Sequence, residues 1–82
     1  MILCVTYARA PIVIVDDEPQ LAKMLEHLAN RAAVPARIFT DADQALRFIR
    51  AHPVAAIVAD QLMPAMTGSE LLERVPRRSR PT

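Results

Sequence analysis

Three carboxylates stand out for what they could do together: the pair Asp16-Asp17 and the single Asp60. Each follows an apolar run. Ile12-Val13-Ile14-Val15 leads into the pair, and Val54 to Ala59 leads into Asp60. In an open α/β sheet, functional residues collect beyond the carboxyl ends of the strands. Neighbouring strands lie about 4.8 Å apart, so carboxylates at two adjacent strand ends would share one crevice. Like charges that close cannot all stay ionised unless a cation intervenes. A hard divalent ion resolves the conflict. Mg2+ suits it, because it binds through one or two carboxylates plus a phosphate and keeps several waters. Taken singly, an Asp after a strand is more often a turn former or a helix cap. The two features together shift the balance toward a site.

The elements that would position these acids are legible in the pattern. The β-branched run Ile12–Val15 suits a strand buried on both faces, as in a parallel sheet. Pro19 sits where a first-turn proline is tolerated, and Glu18 suits the positive end of a helix. Leu21, Met24, Leu25, Leu28 and Ala32 then mark one helical face, with Lys23, Glu26, His27 and Arg31 away from its centre. Pro35 ends this region. Ala36-Arg37-Ile38-Phe39 reads as a second strand. Asp41 with Gln44 resembles a capping box, and Ala42, Ala45, Leu46 and Ile49 trace a second helical face closed by Pro53. Val54 to Ala59 is the third strand. Thr67 and Glu70 form another capping-box pattern before Leu71, Leu72 and Val75, and Pro76 stops that helix. Strands alternating with helices mean an α/β fold with a parallel sheet. Ile2 to Tyr7 is either an extra strand or a stretch that a late start would omit.

Two motifs carry a family resemblance. Ile12 through Pro19, with its strand and Asp16-Asp17-Glu18, resembles the opening strand and acidic pocket of response regulator receiver domains. Asp60-Gln61-Leu62-Met63-Pro64-Ala65-Met66-Thr67-Gly68 resembles that family's phosphorylation loop, in which Met-Pro, Met and Gly follow the Asp at these offsets. The resemblance covers residues 12–75. It implies a partial flavodoxin-like three-layer fold whose parallel strands lie in the order second, first, third. It implies that Asp60 is the phosphoacceptor. Asp16, Asp17 and Asp60, with the backbone carbonyl of Leu62, would be the Mg2+ ligands. The partner implied is a sensor histidine kinase or phosphotransfer protein in a two-component system. Such a chain is a phosphoacceptor signalling module rather than an enzyme. Glu18 would tune the pocket or simply start the helix. Pro64 would stiffen the loop, and Gly68 would give it a permissive backbone.

The resemblance also marks departures. Family members continue through a fourth strand ending in Ser or Thr and a fifth ending in a Lys that pairs with the phosphate. Lys23 is the sole lysine here and lies on the first helix, and Thr67 lies in the phosphorylation loop. Self-phosphorylation and dephosphorylation are therefore expected to be impaired. The expected organisation is an N-terminal extension over 1–11, a truncated receiver domain over 12–75 and a basic tail over 76–82. Without a fourth strand, the Val54–Ala59 strand would be an apolar edge open to aggregation or to a homo-oligomer. A non-phosphorylated interaction module and a non-functional fragment are the alternative readings.

Bulk properties exclude more than they identify. A chain of 82 residues allows one small domain. With 52% hydrophobic residues it is not a disordered composition. A formal charge of +1 points to no polyanionic partner. The Arg-rich tail after Pro76 accompanies no helix-turn-helix or aromatic platform, so no nucleic-acid contact is expected. No apolar run spans a membrane. The first ten residues only outline a signal peptide, since they lack a basic leader. One cysteine, Cys4, fits a reducing, cytoplasmic compartment. His27 and His52 read as solvated, and Met24, Met63 and Met66 as core and loop packing. A haloacid-dehalogenase-like phosphatase would need a second Asp two residues after the nucleophile, where Leu62 stands. Gly68 is the sole glycine, too few for a phosphate-cradling loop.

Overall fold

Seven elements follow one another in the computed structural model, which describes residues 2–5 as backbone and residues 10–76 in full. They are β1 (Ile2–Val5), β2 (Ile12–Val15), α1 (Pro19–Arg31), β3 (Ala36–Phe39), α2 (Ala42–Ala51), β4 (Ala56–Ala59) and α3 (Gly68–Arg74). The basic tail expected after Pro76 lies outside the described residues, Pro76 apart. β2 pairs in parallel with β3 on one side and β4 on the other, so the three parallel strands have the expected order.

Alternation along the strands assigns their two faces. Val13, Val15, Ile57 and Ala59 join Ala45, Leu46 and Ile49 of α2 and Leu71 of α3 in one buried cluster, closed by Val75. The opposite face carries Ile14 and the half-buried Val58, and α1 lies over it. The result is a three-layer arrangement. The expected face of α2 is buried at all four positions. The expected face of α1 is not. That helix turns its small residues, Ala22 and Ala29, to the sheet. Two alanines seven residues apart let the helix sit close. Leu21 and Leu25 stay half-buried, and Met24 and Leu28 are 54% and 53% exposed. Met24 is therefore surface, whereas Met63 and Met66 are buried as expected.

The β4 edge is also different from expectation. Read alone, its apolar run would lie open. β1 instead pairs with it antiparallel, from Ile2 opposite Ala59 to Val5 opposite Ala56. Residues ahead of the receiver-like segment thus become the fourth strand of the sheet, and the edge is covered from within the chain. Removing residues 1–10 should uncover the ladder. The expected result is a loss of about 1–3 kcal/mol of stability and an apparent mass that grows with concentration in size-exclusion chromatography. Unchanged stability and mass would show that β1 protects nothing.

Helix ends follow local chemistry. Thr67 and Glu70 form the full capping box: Glu70 N–H donates to Thr67 Oγ1 at 3.1 Å and Thr67 N–H donates to Glu70 Oε1 at 3.2 Å. Asp41 also caps its helix, but it accepts from Asp43 N–H at 2.9 Å, one position earlier than a capping box would require. α1 ends in a Schellman motif. Val34 N–H donates to the Ala29 carbonyl at 2.9 Å and Ala33 N–H to the Asn30 carbonyl at 3.0 Å. The motif puts Ala33 at φ 59°, the left-handed region that glycine occupies without steric cost. Ala33→Gly should stabilise the fold by about 0.5–1 kcal/mol, because relief of the left-handed conformation outweighs the extra freedom of the unfolded chain. Urea unfolding checks this, and a lower midpoint would contradict it.

Candidate metal centre

Register brings the acids together. Val15 of β2 lies opposite Ala59 of β4, so the next residue of each strand, Asp16 and Asp60, emerges at the same end of the sheet. The ladder runs one step past both strands. Asp60 N–H donates to the Val15 carbonyl at 3.0 Å, and Asp16 N–H donates to the Phe39 carbonyl at 3.0 Å. These bonds fix both backbones before any side-chain contact is made. Carboxylate oxygens of Asp16, Asp17 and Asp60 all lie within 4.8 Å of one another. Asp16 is only 3% exposed, Asp60 is half-buried and Asp17 is exposed.

The structural roles weighed against a site are present as well. Asp16 Oδ1 accepts Glu18 N–H at 2.9 Å, and Asp60 Oδ1 accepts Leu62 N–H at 3.1 Å. Both are turn-type bonds to a residue two positions on. Each engages one oxygen of a group that has two. A turn role therefore coexists with a ligand role and does not replace it.

An open cleft of about 510 Å³ lies over these acids, lined by Asp16, Asp17, Glu18, Pro19, Leu21, Asp60 and Leu62. Four of the seven are acidic and none is basic. Oxygen donors with no basic residue beside them in the described lining suit a hard divalent ion such as Mg2+, which the three-carboxylate cluster could hold. Leu62, whose carbonyl was the fourth expected ligand, stands at the rim with its side chain 82% exposed. Glu18 is the N-cap of α1 through its backbone, with no side-chain cap bond. Lys23 does not line the cleft, and Thr67 is engaged in capping α3.

Three residues behave in ways the sequence did not announce. Gly68 has no positive φ. It is buried in the first turn of α3, and its N–H donates to the Gln61 carbonyl at 3.3 Å, so its position calls for a small residue rather than a permissive backbone. His52 is exposed but engaged. Its ring stacks on Phe48 at 4.3 Å and its Nδ1 lies 3.2 Å from the Phe48 carbonyl, while Arg37 lies 4.9 Å from the centre of the Phe48 ring. Gln61 bridges the loop after Asp60 to α3: its Oε1 accepts Ser69 N–H at 3.0 Å and Ser69 Oγ–H at 3.1 Å. A side-chain bond across eight residues leaves no local pattern to find.

Comparison with known proteins agrees with this geometry. The family described as Response regulator receiver domain matches residues 12–82. The response regulator GtcR of Aneurinibacillus migulanus is 36% identical over 64 residues, which is 78% of this chain and 26% of that protein. The chain thus spans about a quarter of the length of the curated relative it matches. Among the described residues, no helix is long and apolar enough to cross a membrane. With a family match over most of its length, and with both acidic motifs meeting at one end of a parallel sheet, the chain belongs to the response regulator receiver domain family.

Proposed function

We propose that this chain accepts a phosphoryl group on Asp60 from a phosphohistidine of a sensor histidine kinase or phosphotransfer protein, in a Mg2+-dependent step in the cytoplasm. Receiver domains act in two-component signal transduction, and family membership carries that much. The observation that supports the finer reading is the meeting of Asp16, Asp17 and Asp60 within 4.8 Å in a cleft that no basic side chain lines among the described residues.

In this reading Asp60 is the nucleophile. A bond forms between its carboxylate oxygen and phosphorus while the phosphorus–nitrogen bond to the donor imidazole breaks. The leaving imidazole nitrogen takes a proton from solvent. Water later attacks the acyl phosphate and restores Asp60. Asp16 and Asp17, with Asp60 and the Leu62 carbonyl, would hold Mg2+. When bound, the ion offsets charge on the transferring oxygens. The bonds from Asp60 N–H to Val15 and from Leu62 N–H to Asp60 Oδ1 hold the nucleophile at the mouth of the cleft.

A second reading, a receiver-like module that binds partners without being phosphorylated, draws on the same cleft, since among the described residues no basic side chain lines it to steady a phosphate. Incubation with a small acyl phosphate or phosphoramidate and Mg2+ separates the two. A Mg2+-dependent, hydroxylamine-sensitive phosphate supports the first reading. A chain that stays unmodified while still binding a histidine kinase supports the second.

A further inference from the structure

We propose that Gln61 is a positioning residue: it locks the peptide carrying Asp60 and Leu62 against the first turn of α3, so that α3 responds to the state of the acidic site. The inference rests on the reading of Asp60 as a metal-associated phosphoacceptor and adds a residue to it.

Three bonds make the lock. Gln61 Oε1 accepts Ser69 N–H and Ser69 Oγ–H, and the Gln61 carbonyl accepts Gly68 N–H. Backbone N–H groups in the first turn of a helix have no partner within the helix. Here Gln61 takes those of Gly68 and Ser69, and the Thr67–Glu70 capping box takes those of Thr67 and Glu70. The turn is thus satisfied by two anchors, and one of them is the residue next to Asp60.

On its other side, the same peptide is held by the site. Leu62 N–H donates to Asp60 Oδ1. A metal or phosphoryl group on the second oxygen of that carboxylate would leave this bond in place and change the charge and orientation of the oxygen that Leu62 N–H meets. The peptide cannot adjust freely, because Met63 and Met66 are buried and pin the far end of the loop. Motion is passed to Gln61, whose bonds end on α3. Leu71 of that helix is fully buried in the main core cluster, so a shift of its first turn reaches the packing between α2, α3 and the sheet. Gln61 itself is half-buried and does not line the cleft over the acids. It acts by orienting groups that do, and such supporting bonds typically govern metal affinity by about 10–100-fold.

Amide NMR spectra of the full chain during Mg2+ titration test this. In the parent, amides of Asp16, Asp17, Asp60 and Leu62 should shift, and Ser69 should follow with the same midpoint. In Gln61→Leu, which keeps bulk and removes the acceptor, Asp16 and Asp17 should still shift, with a midpoint raised by about 10-fold, and the Ser69 response should vanish. Gln61→Glu restores an acceptor oxygen and should restore the Ser69 response. Ser69→Ala keeps the N–H bond and should retain a reduced response. A Ser69 amide that follows Mg2+ equally in the parent and in Gln61→Leu overturns the inference and leaves the site reading standing. So does a parent in which the acids respond and Ser69 does not. A parent whose acidic residues ignore Mg2+ overturns the site reading and this inference with it.

Discussion

Asp60→Asn should leave the chain folded and reduce phosphate incorporation by at least ~100-fold, the largest effect that any single substitution is expected to have. The substitution is a clean one. Asn retains an Oδ1 that can accept Leu62 N–H, and the backbone bond from residue 60 to Val15 does not involve the side chain. What disappears is the carboxylate that we propose as the nucleophile. Radiolabelled phosphate transferred from a small phosphodonor, with hydroxylamine release as the chemical signature, provides the measurement. Amide spectra of the variant should keep the parent's dispersion. Asp16 and Asp17 should still shift with Mg2+, more weakly, because two of the three carboxylates remain. Label persisting in the variant at the parent's level would place the acceptor elsewhere. Asp16, at 3% exposed, is a poor candidate for an alternative, and Asp17, exposed beside it, the better one.

The meeting of the three acids is legible in the sequence, and the reason is geometric. Two apolar strands that each end in aspartate can meet only if they are parallel neighbours, and β2 and β4 are. The strand Ile12–Val15 and the strand Ala36–Phe39 were read to the residue, because β-branched and aromatic runs bounded by Pro or Asp leave little freedom. The far edge of the sheet was less legible. A short apolar run at Ile2 to Val5 says that a strand can form, but not which edge it joins or in which direction. Only the pairing with Ala56–Ala59 shows that it runs antiparallel.

The misread face of α1 has a related cause. The periodicity of Leu21, Met24, Leu25 and Leu28 marks where a helix could be covered. It does not say whether a partner lies there. The sheet contacts the alanine side instead, and two of the larger residues, Leu21 and Leu25, rim a pocket of about 180 Å³ with Val58, Asp16 and Asp60. Gln61 was missed for a third reason. Its bonds depend on the path of the loop between Asp60 and α3, and that path is set by the burial of Met63 and Met66 rather than by any repeat in the sequence.

Asp16→Asn should reverse the usual direction of a mutation at a buried polar residue: without Mg2+ the variant should be more stable than the parent. The Asp16 carboxylate is almost wholly buried and shares a 4.8 Å cluster with two others. At an effective dielectric of about 20, a pair of unit charges at this spacing repels by roughly 3 kcal/mol. Exposure of Asp17 and partial exposure of Asp60 screen much of this, leaving a relief of about 1 kcal/mol when one charge is removed. The turn bond to Glu18 N–H survives, because Asn Oδ1 can also accept it. In a domain of this size, 1 kcal/mol moves the thermal midpoint by about 4–8 °C. Mg2+ inverts the order. At ten times its dissociation constant, an ion that binds only the folded parent adds about 1.4 kcal/mol, and the variant, with the most buried carboxylate of the cluster neutralised, should gain almost nothing. Thermal unfolding of both chains across a Mg2+ series should therefore show curves that converge or cross. If the variant is less stable at every Mg2+ concentration and the parent is indifferent to the ion, Asp16 is a turn former and no more. In that case the cluster's mutual repulsion is already relieved by water, and the carboxylate matters through the charge-assisted strength of the bond it accepts from Glu18 N–H, which a neutral Asn oxygen makes more weakly.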